Sequence, residues 1–150
     1  MRTAIFSLLL LGAASALQAQ TPAPDIKWGP GPPFLPKGVQ LAVLQGDPSK
    51  DGGFTVRLQM PAGYYIPPHS HPTDEQVTII SGALRLGMGD VEDSTKAMTL
   101  RGGGFITAGA NMRHFARAME PTVVQLHGVG PLAITYVNPK DDPRNAAPSP

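Results

Sequence analysis

The sequence predicts an all-β domain, a sandwich or closed barrel of short strands. Three observations carry that expectation. Phe54, Val56, Leu58 and Met60 alternate with Thr55, Arg57 and Gln59, the two-residue period of a strand with one buried face. Short apolar segments recur through the middle of the chain, separated by glycine and proline, at the spacing of consecutive strands. No stretch has the apolar period of a convincing amphipathic helix; Asp93 to Leu100 has room for one turn at most.

Taken in order, the chain begins with Met1-Arg2, an apolar or small run from Ala4 to Ala14, and then Ala14-Ser15-Ala16 and Leu17-Gln18-Ala19. A positive start, a short apolar run and small residues form the pattern of a secretory signal peptide over residues 1–19, with cleavage after Ala16 or Ala19. Cleavage after Ala19 is favoured because the chain turns polar and proline-rich directly afterwards. The run is shorter than the ~20 apolar residues that span a bilayer; an uncleaved N-terminal anchor is the alternative. The expected location is secreted or periplasmic, without membrane contact after cleavage.

Residues 20–38 contain Pro22, Pro24, Pro30, Pro32, Pro33 and Pro36. Proline lacks the N–H that a helix interior or a strand ladder requires, so this is an extended arm, laid on the domain by Trp28 and Phe34. The strand-like segments then run Val39–Gln45, Phe54–Met60, Val77–Ile80, Ala83–Met88, Phe105–Ala108, Met112–Ala118, Thr122–His127 and Leu132–Val137. Ser81-Gly82 is a two-residue hairpin signal. The body, residues 39–138, is long enough for a modest core if the sheet closes on itself and leaves no exposed edge. Residues 139–150 have little to bury and form a flexible C-terminal tail.

Composition excludes some functions. The chain has 12 Lys and Arg against 11 Asp and Glu. Loss of Arg2 with the signal peptide leaves 12 − 1 = 11 basic residues, and the mature chain is near neutral. No Lys/Arg run stands out, which argues against nucleic acid as a partner. The absence of cysteine removes disulfides and thiolate ligands, and suits an oxidising compartment.

The chemistry concentrates in GYYIPPHSHPTDEQVTIISG, Gly63 to Gly82. His69 and His71 are two apart and share one face of a strand. Glu75 shares that parity if the strand continues past a bend at Pro72. Pro67-Pro68 stiffen the approach and lower the entropy lost in holding the imidazoles. Two imidazoles and a carboxylate suit a divalent first-row metal: iron, manganese, nickel, copper or zinc. The bland alternative is a pair of solvated histidines at the edge of a β-protein. A second stretch, GGGFITAGANMRHFARA, runs from Gly102 to Ala118. Gly109-Ala110-Asn111 can turn tightly there, since glycine and asparagine tolerate positive φ, and His114 then opens a strand as a third imidazole.

In these two stretches the sequence resembles the cupins. Their first motif is a glycine, five residues, His-x-His, three or four residues, a glutamate, six residues and a glycine; Gly63, His69, His71, Glu75 and Gly82 meet every spacing. In the second motif Gly103 and His114 match. Gly109 stands where cupins have proline, Asn111 where they have glycine and Ala118 where they have asparagine. The motifs and surrounding strands cover about Val39 to Val137. The resemblance implies a single double-stranded β-helix, or jelly-roll, barrel with one metal ion held by His69, His71, Glu75 and His114. It also implies a metalloenzyme, foremost of dioxygenase type, acting on a small molecule. Metal-dependent isomerases and decarboxylases, a non-catalytic small-molecule-binding module and a structural or storage role remain alternatives. Cupins often dimerise, so a homodimer with the arm packed on a neighbour is compatible with the resemblance.

His127 belongs to neither motif. If Glu120-Pro121 closed a tight hairpin, Met119 would pair with Thr122, Ala118 with Val123, Ala116 with Gln125 and His114 with His127. His127 would then border the metal cavity as a catalytic acid/base, a donor to a ligand or a substitute ligand. The alternative is a histidine hydrogen-bonded within the barrel wall. The same count through Ser81-Gly82 pairs Ile79 with Leu84, Val77 with Leu86 and Glu75 with Met88. Tyr64, Tyr65 and Tyr136 are candidate hydroxyl donors, and Arg57 and Gln59 are expected to face solvent.

Overall fold

A computed structural model describes residues 25–146. The expected signal peptide, the first residues of the arm and the last four residues of the tail lie outside the described residues. Eleven strands form two antiparallel sheets that face each other. The first sheet has the order β1 (Gly29–Pro30), β2 (Gln40–Gln45), β3 (Gly52–Met60), β10 (Thr122–Gly130), β5 (Glu75–Ser81), β8 (Phe105–Ala108). The second has the order β11 (Thr135–Tyr136), β4 (Tyr65–Ser70), β9 (His114–Ala118), β6 (Ala83–Met88), β7 (Met98–Arg101). Among the described residues no helix is long and apolar enough to cross a membrane.

The period of β3 reads as expected. Phe54, Val56, Leu58 and Met60 are buried, Arg57 is half-buried and Gln59 is exposed on the opposite face. They meet Val77, Ile79, Leu84, Leu86, Val124 and Leu126 between the sheets. Each such side chain contributes about 1.5–3 kcal/mol when fully removed from water. The apolar residues of alternating strands are thus the main support of the fold.

Both expected hairpins are instead corners. β5 does not pair with β6, nor β9 with β10; each link carries the chain from one sheet to the other. β5 pairs with β10, placing Ile79 opposite Val124 and Val77 opposite Leu126. β6 pairs with β9, placing Leu84 opposite Ala118 and Leu86 opposite Ala116. A two-residue turn signal reports that the chain reverses but not which sheet receives it. At Gly82 the backbone has φ +79 and packs against the Pro121 carbonyl and Thr122 of the second corner. Thr122, 1% exposed, welds the corners together: its hydroxyl accepts from the Ala83 N–H and lies 2.7 Å from the Glu120 carbonyl to which it can donate. Direct partners share a face, so the inward set Val77, Ile79, Leu84, Leu86, Ala116 and Ala118 survives even though its pairings differ from those expected.

The arm lies on this body. Gly29–Pro30 is an edge strand against β2, where proline is tolerated. Phe34 and Leu35 pack on the core, and two tyrosines hold their backbone: Tyr64 donates to the Pro36 carbonyl at 2.6 Å and Tyr136 to the Phe34 carbonyl at 2.8 Å. After β11, two 3-10 turns capped by Asn138 and Asp142 bury no residue, and Arg144 reaches back to the Ile134 carbonyl at 3.2 Å.

Candidate metal centre

His69 sits on β4 directly opposite His114 on β9. Strict alternation along β4 would not allow this. Ile66 opposite Ala116 faces the core, so an uninterrupted strand would bring residue 68 inward, not 69. The register shifts between Ile66 and His69, across Pro67-Pro68. A bulge is the natural place for residues without an N–H, and it moves the next side chains to the other face. His69 and His71 both turn inward, 3% and 8% exposed. Glu75 comes from the opposite sheet, at the start of β5, with Val77 and Ile79 in phase behind it. The loop before β9 is fixed by Asn111, at φ 60, whose N–H donates to the His71 carbonyl at 2.7 Å. This is the left-handed conformation that Gly109-Ala110-Asn111 suggested, and it delivers His114 to the strand.

The three imidazoles are held in one tautomer. Nδ1 of His69 lies 2.7 Å from the Pro67 carbonyl, Nδ1 of His71 lies 2.7 Å from the Ala133 carbonyl, and Nδ1 of His114 lies 3.0 Å from the Met112 carbonyl. A carbonyl only accepts, so each Nδ1 carries the proton, and in the neutral ring each Nε2 carries a lone pair. One ligand nitrogen from each histidine lies within 4.8 Å of the others. Two nitrogens bound at ~2.1 Å to one ion sit at most about 4.2 Å apart, so small ring rotations bring all three into range. Nε2 of His71 is buried without a hydrogen-bond partner, an arrangement costing about 1–3 kcal/mol unless something accepts its lone pair. Glu75 lies beside this three-histidine group: its Oε1 lies 3.6 Å from Nε2 of His71 and its Oε2 lies 3.9 Å from Nε2 of His114.

Electrostatics agree with neutral rings. Burial, then the neighbouring His114 and His71, push the His69 imidazole down to about 2. Burial also lowers His114, partly opposed by the Met112 carbonyl and the Glu75 charge. Rings that resist protonation keep their lone pairs for a metal. The donor set therefore fits a divalent transition ion.

The histidines and Glu75 line a cavity of about 50 Å³ between the sheets. Apart from these four, its lining is apolar and includes Phe34, Leu58, Ile66, Leu86, Leu126 and Ile134. Met88 is opposite His114 in the ladder but 38% exposed, at the edge of the site.

His127 is not there. On β10 it pairs with Thr55 of β3 and Gln76 of β5, and Val124 and Leu126 are the residues of that strand that line the cavity. The expected pairing with His114 fails because Glu120-Pro121 is a corner between sheets and the inward parity of β10 is even, not odd. His127 faces outward in a chain of hydrogen bonds: Arg57 Nε donates to Gln125 Oε1 at 3.0 Å, Gln125 Nε2 lies 3.0 Å from His127 Nε2, and His127 Nδ1 lies 3.0 Å from the Thr55 hydroxyl. The tyrosines do not offer hydroxyls to the cavity. Tyr64 and Tyr136 hold the arm, and Tyr65 lies under Arg117, whose guanidinium is 4.0 Å from the ring centroid.

The family model described as the ChrR cupin-like domain matches residues 18–133. Among solved structures, the polyketide cyclase RemF from Streptomyces resistomycificus superposes with a TM-score of 0.65 at 15% identity, over 85% of this chain and 90% of that one. A protein provisionally assigned as an acetylacetone dioxygenase from Methylibium petroleiphilum PM1 superposes with a TM-score of 0.62 at 21% identity, over 87% and 89%. An RmlC-like cupin from Ralstonia eutropha JMP134 gives 0.60 at 21% identity, over 83% and 74%. At these identities the likeness is one of fold, and it is the jelly-roll barrel. No curated protein sequence matches the chain.

Proposed function

We propose that this chain, which belongs to the ChrR cupin-like domain family, holds one divalent transition metal on His69, His71, His114 and Glu75 and is a metal-dependent enzyme of dioxygenase type. The observation that carries the reading is the convergence of three imidazoles whose Nδ1 protons are all engaged by carbonyls, with a buried, unpartnered Nε2 among them. A bound ion would supply Lewis acidity and, for the redox-active metals, electron transfer. The protein supplies an apolar wall that suits a compact, weakly polar substrate. Within the cavity lining, Glu75 and the three histidines are the titratable groups. That lack of a separate acid/base favours chemistry centred on the metal over proton-shuttling isomerisation. The assignment of one structural neighbour as a dioxygenase supports the same class. The N-terminal pattern supports work outside the cytoplasm.

The same feature favours a second reading, a metal-loaded module that binds a small molecule without converting it. Elemental analysis of protein from its native compartment, beside the His69→Ala variant, tests the site. One metal per chain in the wild type and none in the variant is expected. A metal-free wild type, or a variant that keeps its metal, overturns the site. Dioxygen uptake by the loaded protein with short 1,3-diketones and other compact apolar molecules separates enzyme from binder.

A further inference from the structure

The metal cavity has a neighbour on the surface. An open groove of about 220 Å³ is lined by Pro30, Pro32, Leu41, Pro48, Phe34 and Leu132, with Ser49 at its edge. Phe34 and Leu132 line the metal cavity as well. They are therefore the wall between groove and cavity, and one of them belongs to the N-terminal arm rather than to the barrel. The cavity itself has room for only a handful of water-sized groups, too little for most organic substrates. A substrate must displace part of the wall.

The arm is built for such displacement. Its purchase near the cavity consists of Phe34, Leu35 and two carbonyls, each received by one tyrosine hydroxyl: Phe34 O by Tyr136 and Pro36 O by Tyr64. Tyr136 is the strand partner of His69, with ring centroids 6.0 Å apart. The same tyrosine thus touches both the ligand histidine and the residue that closes the cavity. Because Phe34 lines both spaces and belongs to no strand, ring rotation or a short outward shift of it would join groove to cavity without moving a barrel strand. Most barrel residues around the cavity stand in strand ladders, and Leu132, in the loop after β10, is tied by its own N–H to the Pro48 carbonyl at 2.7 Å.

We propose that Phe34 is the gate between the surface groove and the metal cavity, and that with Leu35 it sets the size of the molecule that reaches the metal. The groove's proline and leucine lining selects a compact apolar molecule at the entrance. This inference rests on the metal reading for its function but not for its geometry, and the two can fail separately.

The test compares wild type, Phe34→Ala and Phe34→Trp, each loaded with cobalt(II), by the rate at which added azide and the larger acetylacetonate change the visible spectrum. Phe34→Ala is expected to speed acetylacetonate association by about tenfold or more and azide by less, with the cobalt spectrum before addition unchanged. Phe34→Trp is expected to slow both. Equal rates in all three overturn the gate. If the wild type takes up no cobalt, the metal reading has failed, and the gate is then judged on metal-free protein by benzene binding, followed through the methyl NMR signals of Leu58, Ile66 and Leu86. Benzene shifts in Phe34→Ala but not in wild type support the gate; the same response in both overturns it. Trp28, the chain's one tryptophan, lies on the arm, and its unchanged emission shows that the arm is still docked in Phe34→Ala. Should Phe34→Ala shift that emission, Tyr136→Phe decides instead: faster acetylacetonate entry supports the gate, an unchanged rate overturns it.

Discussion

At Pro67-Pro68 two residues with no N–H decide where two imidazoles point. The spacing His-x-His guarantees only that His69 and His71 face the same way. The bulge makes that way inward, by breaking the alternation that starts at Ile66. The shared face of the histidines was legible from their spacing, and Asn111 from its tolerance of positive φ. The place of His127 was not legible, because one residue of register reverses a side chain and the register depended on which sheet β10 joined. Its hydrogen bonds to Gln125 and Thr55 and its place outside the cavity lead to a direct expectation. His127→Gln should leave metal content per chain at the wild-type level, whereas His114→Gln should lower it severely; metal analysis of both proteins after gel filtration reads the difference. Loss of metal from His127→Gln would return that residue to the site.

Among the elements, the two corners explain why the first motif ends on a glycine. Gly63 and Gly82 both have φ +79, but a Cβ at Gly63 meets open space, while at Gly82 it meets the Pro121 carbonyl and Thr122. Gly63→Ala should therefore cost about 1 kcal/mol, the strain of a left-handed alanine. Gly82→Ala should cost roughly 2–4 kcal/mol, since overpacking adds to that strain. Urea denaturation of both variants measures the gap, and equal losses would contradict the welded-corner description. The strands themselves were legible as alternating or apolar runs, and β3 most clearly. Short β7 was missed because Met98-Thr99-Leu100-Arg101 follows an exposed turn and buries almost nothing. The pairing of strands was misread because turn residues encode a reversal, while sheet membership comes from packing of faces that are distant in sequence.

Across the whole molecule, the arm packs on the barrel, and the chain's three tyrosines report on that packing, Tyr64 and Tyr136 from the core. Burial raises each phenol above its ordinary value: Tyr65 to about 12, with Glu92 beside it adding to the shift, and Tyr64 and Tyr136 further still. The unfolded chain releases these protons near pH 10 while the folded chain retains them. Stability is thus unaffected by the tyrosines below about pH 10 and falls as pH rises beyond it. A spectrophotometric titration should show no tyrosine ionising with an ordinary midpoint; one that does would mean that its hydroxyl is not buried as described. The cupin superfamily was legible from the two motifs, and the all-β class from the alternation of β3 and the recurrent short apolar segments. The role of the arm was only half legible: Phe34 was expected to lie on the domain, but its place in the cavity wall follows from the tyrosine hydroxyls, which no local pattern announces.

The central claim is that three imidazoles converge on one ion inside the barrel. X-ray absorption fine structure at the K-edge of the cobalt-loaded protein tests it most directly. The expected spectrum has nitrogen and oxygen neighbours near ~2.1 Å and outer-shell scattering from three imidazole rings, falling to two in His114→Ala. A first shell without imidazole scattering, or one that His114→Ala leaves unchanged, would contradict it.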